Sequence, residues 1–102
     1  MRMFFVTCSS VREAKKIARH LLEEKMIGCA NIIPKIDSYF WWNGRIEKDS
    51  EALLLCKTLR RRYSRVIKEI KKIHSYTVPS IELIDVRAGN EDYFKWMETV
   101  LK

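Results

Sequence analysis

The spacing of apolar positions changes along this chain, and each change marks an element. Met3 to Cys8 is a short apolar run that reads as a strand, β1. Ser9-Ser10 follows, and Glu13 stands three residues after Ser10, which is the pattern of a capping box. Val11, Ala14, Ile17, Ala18, Leu21 and Leu22 then recur at helical spacing, with Arg12, Lys15, Lys16, Arg19 and Glu23 on the other side. This predicts a helix, α1, that closes near Met26-Ile27-Gly28 with Gly28 as a left-handed C-cap. Residues 30–42 read as a long strand, β2, interrupted at Pro34. Proline cannot donate to a ladder, so Pro34 marks an edge, a bulge or a bend. Asn43-Gly44 between extended runs predicts a type I′ hairpin turn.

Residues 45–58 return as β3, polar at first and apolar through Ala52-Leu53-Leu54-Leu55-Cys56. Only the second half is expected to cross the core of its own subunit. Leu59, Tyr63, Val66, Ile67, Ile70 and Ile73 form the stripe of a second helix, α2, opposite Arg61, Arg65, Lys68 and Lys72. A loop over 74–79 is held extended by Pro79, and residues 80–86 form a strand, β4. Ala88-Gly89-Asn90 turns the chain into a last helix, α3, expected to bury Tyr93, Trp96, Met97 and Val100.

The order β-α-β-β-α-β with an added helix predicts an α+β fold, the ferredoxin-like split βαβ, with helices on one face of its sheet. Residues 1–102 make one domain of ordinary size. With 47% hydrophobic and 11% aromatic residues the chain can bury enough surface to fold, which excludes disorder. No uncharged run approaches the ~18 residues of a membrane span, so no membrane is expected as a partner. The apolar start is much shorter than a secretory core, and reads as the first strand of a cytoplasmic protein. Cys8, Cys29 and Cys56 are odd in number and lack a metal-knuckle spacing, so free buried thiols in a reducing compartment are expected.

The hairpin does not fit inside one subunit. Thirteen strand residues from Ala30 to Trp42 reach roughly 43 Å at ~3.3 Å each. A domain of this length has a radius of gyration of only ~13 Å. Tyr39-Phe40-Trp41-Trp42 sit on the projecting part, and alternation turns two of them away from the subunit's own helices. Each ring carries ~150–250 Å² of surface. Such an edge is best satisfied by a neighbouring subunit, although spacing does not set the number of subunits.

Twenty basic and thirteen acidic residues leave a net +7, which invites a nucleic-acid reading. The RNA-recognition module has the same element order, but it stacks bases on aromatics of β1 and β3, and β3 here has none. A solvated basic surface is the simpler account, and no specific nucleic acid is expected. The metal donors to weigh are His74, Cys29, Cys8, Cys56, His20 and the methionines. No pair has ligand spacing, so a site would have to assemble in space. His74 reads equally as a helix-terminal histidine, Cys29 as buried packing and His20 as a surface side chain. Glu51 and Lys57 could do acid–base work in one cleft or form an ion pair that sets strand register; the structural role is favoured.

Taken together, several segments resemble the CutA divalent-cation-tolerance proteins along nearly the whole chain. They are Cys29-Ala30-Asn31-Ile32, then Tyr39 through Glu47, Glu51 with Lys57-Thr58, His74 through Pro79, and Asn90 with Tyr93 and Trp96. The resemblance implies a ferredoxin-like homotrimer without an established enzymatic reaction. It implies tolerance and binding of divalent metal ions, copper among them, with no cofactor required. It also places Asn31, Trp42, Glu51, Lys57, Tyr76 and Trp96 as candidates to line a cleft between subunits, and His74 and Cys29 as candidate metal ligands. Two positions depart from the family: Ser75 stands where the loop usually has proline, and Ser80 where it often has an acid.

Overall fold

The computed structural model describes residues 1–101, apart from the side chain of Arg60. The elements run β1 (Arg2–Cys8), α1 (Val11–Glu23), β2 (Cys29–Trp42), β3 (Arg45–Thr58), a 3-10 turn (Arg60–Arg62), α2 (Tyr63–Ile73), β4 (Ile81–Asp85) and α3 (Glu91–Val100). The strands form one antiparallel sheet in the order β2-β3-β1-β4, as the split βαβ arrangement requires. Phe4, Val6, Cys8, Ala52, Leu54 and Cys56 point to one face, where they meet Ala14, Ile17 and Leu21 of α1 and Val66 and Ile70 of α2.

Both turns of the chain around α1 differ in detail from the sequence reading. Ser10 caps the helix through its hydroxyl, which accepts the Glu13 N–H at 3.1 Å. The returning arm of the capping box goes to Ser9 instead, whose N–H and hydroxyl both donate to Glu13 Oε1 at 2.8 Å. The helix ends earlier than predicted, at Glu23. Lys25 takes the left-handed conformation with φ of 57°. Its N–H bonds Leu22 O, and the Met26 N–H bonds Leu21 O, the pair of bonds that defines a Schellman motif. Gly28 therefore has a different task. A Cβ there would lie 2.1 Å from Met97 Sδ, so glycine lets α3 approach.

That approach corrects a second expectation. Cys29 pairs in register with Lys57, on the face opposite Ala30 and Cys56. Met97, Leu101 and Leu59 make a second small core there, with Cys29, Tyr93 and Val100 packed against it. The sheet thus carries α1 and α2 on one face and α3 over one end of the other. Trp96 is not buried by this packing; it stays 44% exposed, stacked on Tyr93 at 5.5 Å. Tyr63 and Leu22 also lie nearer the surface than their place in a helical stripe suggested, and Tyr63 lies under the Arg2 guanidinium at 5.1 Å.

The hairpin matches its prediction closely. Asn43 and Gly44 have φ of 50° and 74°, as a type I′ turn demands. Pro34 lies on the edge strand, where the register slips by one residue between Ile33 and Ile36, so it marks a bulge. Beyond that bulge the hairpin leaves the core: Arg45 to Ser50 are all exposed, whereas Glu51 to Leu54 are buried. The longest dimension of the subunit is 45 Å against 25 and 23 Å for the others. Cross-strand pairing puts Phe40 opposite Glu47 and Trp42 opposite Arg45, on the face that continues away from α1 and α2. Trp41, opposite Ile46, takes the other face.

Candidate functional site

At the β1–α1 turn, three side chains of different chemistry converge. Cys8 ends β1, Glu13 stands in the first turn of α1, and His74 follows the last residue of α2. One donor atom from each lies within 4.8 Å of those of the other two. The imidazole is wholly buried and joins elements far apart in the chain. Its Nε2 lies 2.8 Å from the carbonyl of Thr7, 67 residues away in sequence. A carbonyl only accepts, so Nε2 carries the proton. Nδ1 then holds the lone pair, and it accepts the Tyr76 N–H at 3.0 Å. The same Nδ1 faces Glu13 Oε2 at 3.9 Å. His74 does cap α2 with its backbone N–H, but its ring binds β1 rather than the carbonyls of its own helix.

Glu13 is held as a carboxylate. Burial pushes its carboxyl up, but hydrogen bonds from Ser75 and Ser9 outweigh this and bring it down from 4.5 to about 2. The Ser75 N–H donates to Oε2 at 2.7 Å. Cys8 moves the other way. Burial, then the negative charges of Glu13 and Glu51, push its thiol up to about 12. The site is therefore a locally acidic spot in a chain of net charge +7.

A pH prediction follows from Glu13. Its folded value lies below its unfolded one, so the stabilisation is complete above about pH 4.5 and is lost as pH falls toward about 2. Glu13→Gln is expected to lower stability by about 2–3 kcal/mol at pH 7. The gap between wild type and variant should close on acidification over that window. Urea unfolding at a series of pH values measures it; a gap independent of pH contradicts the assignment.

Tyr76 extends the cluster toward the hairpin. Its ring lies 4.8 Å from the His74 ring, and its hydroxyl donates to Glu51 Oε2 at 2.6 Å. Burial, then the Glu51 carboxylate, raises the phenol well above its ordinary value. Thus His74, Tyr76 and Glu51, all singled out from sequence, lie together. The remaining candidates lie elsewhere. Lys57 is six residues along β3 from Glu51, roughly 20 Å at ~3.3 Å per residue, and its ammonium lies over the Tyr93 ring at 5.2 Å. The Glu51–Lys57 ion pair therefore does not form within the subunit. Asn31 and Cys29 share that second locality, with Cys29 Sγ 3.8 Å from Asn31 Oδ1, near Tyr93 and the exposed Trp96. Burial and a hydrogen bond donated to Cys29 push the Tyr93 phenol up to about 12. Trp42 stands apart at the hairpin tip, 63% exposed.

The sequence reading took His74 and Cys29 each as a candidate metal ligand; within this chain they lie at opposite ends of the central strands, His74 beside Thr7 and Cys29 opposite Lys57. Glu13 was read only as a capping residue; its nearness to Cys8 in sequence, at a strand–helix turn, was the signal that the two side chains meet. What the sequence could not signal is that His74 packs into that turn. His20 is not a lone surface side chain either, since Nε2 lies 2.7 Å from Glu69 Oε1 on α2. The RNA-type platform is absent from the central strands. On the face away from α1 and α2, β1 and β3 offer Phe5 as their one aromatic.

Comparison with known proteins agrees with this fold. The family of CutA1 divalent ion tolerance proteins matches residues 2–100. A divalent-cation tolerance protein CutA of Archaeoglobus fulgidus is 38% identical over 98 residues, covering 96% of this chain and 95% of that one. A Protein CutA homolog of Xenopus laevis is 36% identical over 97 residues, 95% of this chain but 64% of the frog protein. The solved structure of the periplasmic divalent cation tolerance protein CutA from Archaeoglobus fulgidus superposes with a TM-score of 0.96 at 36% identity, over the full length of both chains. That periplasmic relative overturns the expectation of a cytoplasmic protein. The thiols could not support it: Cys8 and Cys56 are free and buried in the core, which is how thiols pack in either compartment. With a family match from residue 2 to residue 100 and a shared backbone throughout, the chain belongs to the CutA1 divalent ion tolerance proteins.

Proposed function

We propose that this protein acts in cation tolerance by binding a borderline-soft metal ion, copper or zinc, at Cys8, Glu13 and His74, without chemical turnover. The observation that carries this is the convergence of a sulfur, a carboxylate oxygen and an imidazole nitrogen within 4.8 Å. That donor set suits copper and zinc better than magnesium or calcium, which take oxygen alone. Three protein ligands leave a position open for water or an exchanging partner. The acidic surroundings favour a cation, and a bound ion would draw the Cys8 proton off and hold the thiolate.

The reading includes assembly as a homotrimer. The exposed hairpin aromatics support association, and the number three comes from the family resemblance. In such an assembly the Glu51–Tyr76 pair and the Asn31, Lys57 and Trp96 locality would face clefts that the Trp42 end of a neighbour's hairpin closes.

Calorimetric titration with Cu⁺, Cu²⁺ and Zn²⁺ tests the cation site. One ion per chain is expected, and Cys8→Ala should weaken binding by about a hundredfold or more. Equal affinity in wild type and variant would remove Cys8 from the site and with it this reading.

A further inference from the structure

Two donor atoms of the proposed cation site, Glu13 Oε2 and His74 Nδ1, are already engaged, and their partners belong to one short segment. Glu13 Oε2 accepts the Ser75 N–H and His74 Nδ1 accepts the Tyr76 N–H. A carboxylate has lone pairs to spare, but an imidazole with its proton on Nε2 has one lone pair, and Tyr76 holds it. Nδ1 is also the nitrogen that faces Glu13. Turning the ring to offer Nε2 would break its bond to Thr7 instead. A cation and the Tyr76 amide therefore compete for the same electrons.

The segment a cation must displace is tied to the hairpin. The Tyr76 hydroxyl donates to Glu51. Glu51 is the last buried residue of β3 before the exposed stretch, and it pairs with Ile36 just past the Pro34 bulge. It stands at the root of the hairpin, where the strands leave the core.

Resting on the cation reading above, we infer that a bound cation and the closed Ser75–Tyr76 segment exclude one another, so that cation entry is transmitted through Tyr76 and Glu51 to the root of the β2–β3 hairpin. Coupling of this kind is reciprocal. Whatever holds Tyr76 on Glu51 weakens cation binding, and whatever frees it strengthens binding. The site would then report its occupancy to the part of the subunit built to meet neighbours.

Zn²⁺ is the probe, because it does not oxidise Cys8. Tyr76→Phe keeps the ring and removes only the hydroxyl that grips Glu51. It is expected to bind Zn²⁺ about tenfold more tightly than wild type, the scale of a hydrogen bond to a charged group. Unchanged or weaker binding overturns the inference, since a merely structural Tyr76 would loosen the site when truncated. Amide hydrogen exchange supplies an independent readout on the wild-type protein. The Ser75 and Tyr76 amides should be protected without metal and lose protection tenfold or more at Zn²⁺ saturation, with a concerted change over residues 48–51. In Tyr76→Phe the change at 75–76 should persist and that at 48–51 should vanish. Zn²⁺ binding with protection unchanged at Ser75 and Tyr76 overturns the inference while leaving the cation site intact. No Zn²⁺ binding at all overturns the cation site itself and the coupling with it.

Discussion

Phe40→Ala combined with Trp42→Ala is expected to convert the proposed trimer into monomers at micromolar concentration. The two rings lie on the same face of the hairpin, and they stay 41% and 63% exposed in the isolated subunit. The core of their own subunit does not extend to them, because the buried stretch of β3 ends at Glu51. Burying a large apolar side chain contributes about 1.5–3 kcal/mol. Aromatic anchors at the centre of an interface often exceed 2 kcal/mol on truncation. Two rings per subunit contact thus amount to about 4 kcal/mol, close to a thousandfold in each association constant. Sedimentation velocity on wild type and double variant checks this. The single change Trp41→Ala tests the other face, where Ile46 and Trp41 are paired and Trp41 is 72% exposed. A wild-type monomer at that concentration, or a trimer that survives the double change, contradicts the assignment of the hairpin as the interface.

The second large effect is expected at His74. His74→Ala should destabilise the subunit by about 3 kcal/mol and abolish the proposed cation site together. The ring is fully buried, so its removal leaves a cavity. It also takes from the Thr7 carbonyl and the Tyr76 N–H the ring nitrogens to which they bond. An unpaired buried polar group costs about 1–3 kcal/mol by itself. Urea unfolding at fixed protomer concentration measures the loss, since any assembly makes apparent stability concentration-dependent. A variant within 1 kcal/mol of wild type would show that the loop closes over the gap, contrary to the close packing described above. The two experiments separate cleanly. The hairpin changes act on association and spare the subunit core, while the His74 change acts on the core first.

The departures from the sequence reading have physical causes that can be named. Trp96 and Tyr63 fall on apolar helical stripes, yet a stripe only says which face turns inward, and these two sit at its margin. Gly28 looked like a helix cap because glycine tolerates left-handed backbone. Lys25 took that conformation instead, and Gly28 was needed where α3 crosses. The one-sided sheet was an inference from six elements; the added helix α3 found the uncovered face at the end where Cys29 and Lys57 pair. His20 met Glu69 because α1 and α2 lie side by side, which no local pattern states.

From sequence alone, the element order, the type I′ turn, the bulge-prone Pro34, the projecting aromatics and the family resemblance were all determined, because each depends on local backbone preference, alternation or a run of matching residues. The tertiary structure alone decided the candidate site. Cys8 and Glu13 are close along the chain, but His74 reaches them only when α2 returns beside β1. The same packing brought Tyr76 to Glu51. Donor convergence of this kind is set by contacts between elements distant in sequence, and periodicity carries no information about where such elements meet.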